Sequence, residues 1–173
     1  MQIYESFMEC MTKLHVGIGV DLKGQQQEMK ELTLKDYENL VMHKTTPLFM
    51  LPYKIISSLS GGIRDVTVER MIREFSLLFQ LINDLISVDE SSSKFGDDYV
   101  EEKYSFLVIH FMQTNEKKKI EEFLKLFRKK GKGRNDFVEL NRFLSDSIKY
   151  VKAQITAIQD NLFEFKDRKP LLY

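Results

Sequence analysis

Apolar residues recur every three or four positions along almost the whole chain, the spacing of a helix face, and no run alternates as a strand would. Ile3, Phe7, Met11, Leu14 and Ile18 predict a first helix with one apolar face, its end marked by Gly17, Gly19 and Gly24. Thr33, with Asp36 following at the spacing of a capping box, predicts the start of a second helix whose apolar face carries Tyr37, Leu40, Val41 and Leu48. Pro47 and Pro52 interrupt it. Each lacks a backbone donor and crowds the preceding turn, so a kink is expected near Thr46. After a loop from Ser58 to Asp65, Asp65 is placed to cap a third helix running to about Val88. A polar loop, DESSSKFGDD, then leads to a short and very apolar helix from Lys103 to Met112. Ile120, Phe123, Leu124 and Phe127 give one face of the next helix. A basic loop from Arg128 to Arg134 is expected at the surface. Leu140, Leu144, Ile148, Val151, Ile155, Ile158 and Leu162 predict one long final helix. The class is all-α.

The 173 residues suit a single all-α domain with a real core. Lysine plus arginine equals aspartate plus glutamate, 26 each, and this neutral balance argues against nucleic acid as a partner. Cys10 is the only cysteine, so no internal disulfide and no cysteine zinc site is expected. The first residues carry acids and lack a signal peptide's basic start. No apolar run approaches the roughly 18 residues of a membrane span. The expectation is a soluble, cytoplasmic protein.

Several polar residues stand in awkward places. Gln80, Asn83, Asp84 and Ser87 fall at i, i+3, i+4 and i+7 of the third helix and share one face. They are either the solvent stripe continuing or one wall of a ligand site. Lys44 lies on the same face as Tyr37, Leu40 and Val41, where a lysine either snorkels to the edge or aims its ammonium at an anion. Asp21 follows Ile18 and Leu14 on the inward side of the first helix, as a helix-end carboxylate or as part of such a site. Lys94 and Lys103 flank Asp97 and Asp98 in and after the polar loop, where charges are usually solvated. His15, His43 and His110 share no metal-ligand spacing.

In order along the chain, LHVGIGVDL, HKTTPLF, FQLINDLISVD and SKFGDDYVEEKYSFLVIH resemble the second half of a trans-isoprenyl diphosphate synthase, most nearly of the geranylgeranyl diphosphate type. The resemblance runs from about Tyr4 to Met112. It implies part of an isoprenoid-synthase-like helical bundle around an apolar cavity, usually dimeric. It also implies condensation of isopentenyl diphosphate with an allylic diphosphate, with Mg²⁺ held by two Asp-rich motifs against the leaving diphosphate. Magnesium suits carboxylate and phosphate oxygens, and lysines add point charges to the same anion. By this resemblance Lys44, Thr45, Gln80, Lys94 and Lys103 are diphosphate-binding. Asp84 and Asn83 hold the metal, and Asp21 and Ser87 complete the matched positions.

Some positions depart from the family pattern. Ile18 stands in place of glutamine, and Asn83 in place of an aspartate. Ser87 lacks a carboxylate. Thr46 and Pro47 replace a glycine pair, Glu102 a glycine and Leu107 a proline. The first Asp-rich motif, the arginines after it and the residues that grip isopentenyl diphosphate have no counterpart here. The expectation is therefore a synthase-like chain inactive alone, either a fragment or a noncatalytic relative working in a homo- or hetero-oligomer beside a synthase subunit. A helical interaction module without a ligand and a terpene cyclase-like relative are the competing readings.

Overall fold

The structure is a computed structural model that describes residues 2–24, 32–61 and 64–168, with side chains for 3–21, 32–61 and 64–164. Gly62 and Ile63 of the expected loop lie outside the described residues. The elements are α1 (Gln2–Gly24), α2 (Leu34–Lys44), α3 (Thr46–Leu59), α4 (Val66–Val88), α5 (Asp97–Val100), α6 (Phe106–Thr114), α7 (Lys117–Phe127), α8 (Arg134–Phe143) and α9 (Ser145–Arg168). No strand occurs among the described residues, as an all-α chain requires.

The start signals work as local chemistry predicts. Asp36 N–H donates to Thr33 Oγ1 at 3.2 Å and Thr33 N–H donates back to Asp36 Oδ2 at 2.9 Å, the reciprocal pair of a capping box. Thr67 N–H donates to Asp65 Oδ1 at 2.8 Å and opens α4. The expected kink is a full break. α2 stops at Lys44 and α3 restarts at Thr46, with Pro47 in its first turn, where no donor is needed.

The chain divides into two compact units. The first comprises Met1–Lys23, Glu38–Gln80 and Thr156–Tyr173. Here α1 departs from expectation. Its apolar residues Ile3, Phe7 and Ile18 are exposed, and the small residues Ser6, Cys10 and Gly17 are buried instead. Backbone proximity is the cause: a Cβ on Gly17 would lie 2.6 Å from the His43 carbonyl carbon and 2.7 Å from Lys44 N. Only a residue without a side chain lets α1 and the end of α2 approach so closely. Phe49 of α3 meets Phe75 and Phe79 of α4 edge-on, with ring centroids 5.0 and 5.4 Å apart.

The second unit comprises Gly24–Tyr37 and Leu81–Ile155. Its centre is α6, whose Phe106, Leu107, Val108, Ile109 and Phe111 are all buried, as a helix apolar on every side must be. Phe123 and Phe127 of α7 stack at 5.2 Å, and Phe123 also meets Phe111 at 4.7 Å. The expected single last helix is two. Leu144, at ψ 4°, leaves helical geometry, yet its N–H still reaches Leu140 O at 3.1 Å, and Leu140, Leu144 and Val151 all stay in the core. The basic loop is not wholly superficial either. Lys132 is nearly enclosed and donates to Phe127 O at 2.7 Å, closing the carbonyl end of α7.

Candidate functional site

In the first unit, Asp21 near the end of α1 and Lys44 at the end of α2 form an ion pair in which Lys44 Nζ donates to Asp21 Oδ2. Lys44 therefore neither snorkels into solvent nor stands alone; it is held by Asp21, which the pattern placed on the inward side of the first helix. The next residue, Thr45, is buried in the break between α2 and α3, and its hydroxyl donates to Gln80 Oε1 at 3.2 Å.

In the second unit, Asp84 of α4 is fully buried. Its Oδ2 accepts from the Tyr37 hydroxyl and from Phe106 N–H, both at 2.8 Å, and its Oδ1 lies 3.3 Å from Lys103 Nζ. The Phe106 amide is one of the unpaired donors that open α6, so the carboxylate also meets the positive end of that helix. Lys103 reaches Asp98 Oδ1 as well, at 3.1 Å, and its ammonium bridges two carboxylates. Ser87 Oγ lies 2.8 Å from both the Asp84 backbone oxygen and Asp98 Oδ2, with one hydrogen to share between the two acceptors.

The electrostatics follow from this enclosure. Burial pulls the Lys103 ammonium toward losing its proton, but Asp84 and Asp98 more than reverse that and hold it well above an ordinary lysine. Burial pushes the Asp98 carboxyl up, Lys103 partly offsets this, and Asp84 adds to the rise. Gly96, at φ 91°, carries the chain into α5 beneath the Phe137 ring, and a Cβ there would lie 2.3 Å from that ring. Its N–H donates to Ser87 O at 2.8 Å, tying the loop to α4. Tyr99 donates to Asn141 Oδ1 at 2.6 Å, and Asn141 donates to Val88 O at 2.7 Å, which closes the carbonyl end of α4.

The family described as Polyprenyl synthetase matches residues 1–142 of this sequence. The chain belongs to the polyprenyl synthetase family. Among its relatives, a geranylgeranyl pyrophosphate synthase of Hericium erinaceus is 30% identical over 112 residues, covering 62% of this chain and 33% of its own length. An IDS-like terpene synthase of Melampsora lini is 30% identical over 105 residues, 59% of this chain and 32% of that protein. A geranylgeranyl pyrophosphate synthase of Emericella nidulans aligns over 99% of this chain at 24% identity, covering 40% of its own length. The crystal structure of a polyprenyl synthase from Roseobacter denitrificans shares the fold, with a TM-score of 0.78 at 15% identity over 98% of this chain and 57% of that one. The chain thus spans about a third of the length of the curated relatives it matches.

Of the positions named from the sequence, all but Lys94 and Asn83 fall into these two clusters. Lys44, Asp21, Thr45 and Gln80 meet in the first unit; Asp84, Ser87 and Lys103 meet in the second. Lys94 is exposed on the loop before α5, and Asn83 is half-buried beside Asp84. Two contributors were missed. Asp98, expected as a solvated loop charge, is buried. The spacing predicts Tyr37 only as a core residue, and nothing in the sequence marks its hydroxyl as a partner of a residue 47 positions away.

Mg²⁺ does not fit the donors present at this motif. Both Asp84 oxygens are engaged by donors, Lys103 already supplies the positive charge, and the neighbouring motif position is the neutral Asn83. Among the described residues no group of three or more histidine, cysteine, aspartate and glutamate side chains is arranged to hold a metal. No helix there is long and apolar enough to cross a membrane.

Proposed function

We propose that this chain is a diphosphate-recognising member of the polyprenyl synthetase family that does not condense isopentenyl diphosphate with an allylic diphosphate by itself. The single observation that carries this reading is the state of Asp84. The carboxylate left in the matched Asp-rich segment is consumed by Tyr37, Phe106 N–H and Lys103, so it works as a brace for α6. Lys44 and Thr45 remain the residues best placed to meet a prenyl diphosphate. Lys44 is part exposed, and its tie to Asp21 is an ion pair that a multiply charged phosphate group can outcompete.

Incubation with labelled isopentenyl diphosphate, farnesyl diphosphate and Mg²⁺ is expected to give no elongated product. Farnesyl thiodiphosphate should bind saturably by calorimetry, equally in Mg²⁺ and in EDTA, and Lys44→Ala should weaken it at least fivefold. Mg²⁺-dependent elongation by the chain alone would overturn the reading.

A second reading, a helical module that pairs with another chain, is favoured by one observation. The apolar side chains Tyr4, Phe7, Met8, Val16, Ile18 and Val20 of α1 are all exposed. Such a face favours association with a second copy or a complete synthase subunit, and it is compatible with diphosphate recognition at Lys44.

A further inference from the structure

The first unit contains a cavity of ≈ 330 Å³ that none of the candidate diphosphate or metal residues line. Its apolar surface comes from Cys10 of α1, Met42 of α2 and Pro47 and Met50 of α3. Its cationic groups are Lys13, Lys54, Arg64 and Arg73, set against only two carboxylates, Glu9 and Glu69. The chain as a whole is neutral, so this wall holds a local excess of two positive charges.

Lys54 is the unusual member. It sits inside α3 with only 8% of its side chain exposed, and Glu9 of α1 holds it at 2.5 Å through Oε2. Glu9 uses its other oxygen for Lys13, at 2.7 Å. These hydrogen bonds, Lys13 first and then Lys54, pull the Glu9 carboxyl down to about 2, so the anchor stays charged at neutral pH. Arg73 pairs loosely with Glu69, at 3.7 Å. Arg64, exposed just ahead of α4, has no ion pair among the described residues. An apolar floor, one buried ammonium and an exposed guanidinium without an ion pair among the described residues form the combination that fixes the charged head of a partly apolar molecule.

We infer that this cavity is a binding site for an organic phosphate monoester with a short apolar body. The dianionic head lies against Arg64 and Lys54, and the body lies on Met42 and Met50. Two units of excess positive charge match a dianion, and a guanidinium offers the planar pair of donors that a phosphate accepts. The volume is at the small end of ligand pockets, which suits a body of a few carbons. Neither Lys44 nor Asp21 lines the cavity, and the inference does not rest on the diphosphate reading.

The test uses the full chain and n-hexyl phosphate, followed by calorimetry and by chemical-shift changes of the methionine methyl groups. Inorganic phosphate and hexanol serve as head-only and tail-only probes. Hexyl phosphate is expected to bind at least tenfold more tightly than either and to move the Met42 and Met50 signals. Arg64→Glu, an exposed change that leaves the core untouched, should weaken hexyl phosphate at least tenfold. The same variant should leave farnesyl thiodiphosphate binding unchanged. Lys54→Met should abolish hexyl phosphate binding, with folding checked by circular dichroism. If hexyl phosphate binds no better than hexanol, or Arg64→Glu changes nothing, Lys54–Glu9 is only an interhelical brace and the inference fails. If inorganic phosphate binds as tightly as hexyl phosphate, the apolar floor has no role and the inference fails in that form too.

Discussion

The backbone N–H of Phe106 donates to Asp84 Oδ2 over 2.8 Å, so one side chain in α4 serves as the cap of α6, 22 residues downstream. The same oxygen takes the Tyr37 hydroxyl at 2.8 Å, and no water reaches the group. Removing the carboxylate leaves two buried donors and one ammonium short of a partner. Asp84→Ala is therefore expected to destabilise the fold by about 3–5 kcal/mol. Asp84→Asn, which keeps an acceptor for Phe106 but brings an unwanted donor, should fall between. Urea denaturation followed by circular dichroism measures both; a change under about 1 kcal/mol for Asp84→Ala, the size of an ordinary surface effect, would mean the network is not formed.

Lys103→Met should show a stability that depends steeply on acidity. Without the ammonium, Asp98, already raised by burial and then by Asp84, rises further above its unfolded value of 3.8. A carboxyl raised in the folded state contributes stability that is complete below 3.8 and is lost as pH climbs through the folded value. The variant is thus expected to lose the most at neutral pH and to recover part of the loss as acid protonates Asp98. Melting temperatures of both proteins across a pH series check this; parallel curves would show that Lys103 does not neutralise the pair.

Gly17 and Gly19 lie in one helix and should answer oppositely to alanine. A Cβ on Gly17 meets backbone atoms of His43 and Lys44 at 2.6 to 2.8 Å, and backbone cannot rotate away. Gly17→Ala is expected to cost about 1–3 kcal/mol or more, and to weaken farnesyl thiodiphosphate binding by shifting Lys44. A Cβ on Gly19 meets nothing within 4 Å, so Gly19→Ala should be neutral or gain about 0.5–1 kcal/mol from helix propensity. Equal effects at the two sites in thermal melts would refute the close approach of α1 and α2.

The exposed apolar side of α1 predicts concentration-dependent association. Sedimentation velocity on the unaltered chain should show species larger than a monomer. Tyr4→Lys with Phe7→Glu, both at exposed positions, should shift the distribution to monomer with a change in stability of about 0.5 kcal/mol or less. A monomer at every concentration would leave this face without a self-partner.

The helical class was readable because three- and four-residue spacing is a local property, and the caps at Thr33 and Asp65 are local chemistry as well. What the spacing could not tell was which face of α1 turns inward. The apolar stripe through Ile3, Phe7 and Ile18 carries the stronger hydrophobic signal, yet packing distance favoured Ser6, Cys10 and Gly17. A requirement for small volume leaves no periodic trace. Lys44 and Asp21 each stood out because they interrupt apolar faces, but nothing in the spacing pairs one with the other. Burial of Asp98 and Lys132 was hidden, since charged loop residues look alike until tertiary structure chooses which of them to enclose. The break at Leu144 keeps the apolar register intact, so periodicity reads straight through it.

The ammonium wedged between Asp84 and Asp98 also shapes how this lineage can change. An acidic residue at Asn83 adds negative charge next to Asp84, whose buried carboxylate already shares one lysine with Asp98, and that step alone weakens the molecule. Freeing Asp84 first strips α6 of its anchor. Each single change of this kind lowers stability, so the Asp84–Lys103–Asp98 bridge resists piecemeal substitution.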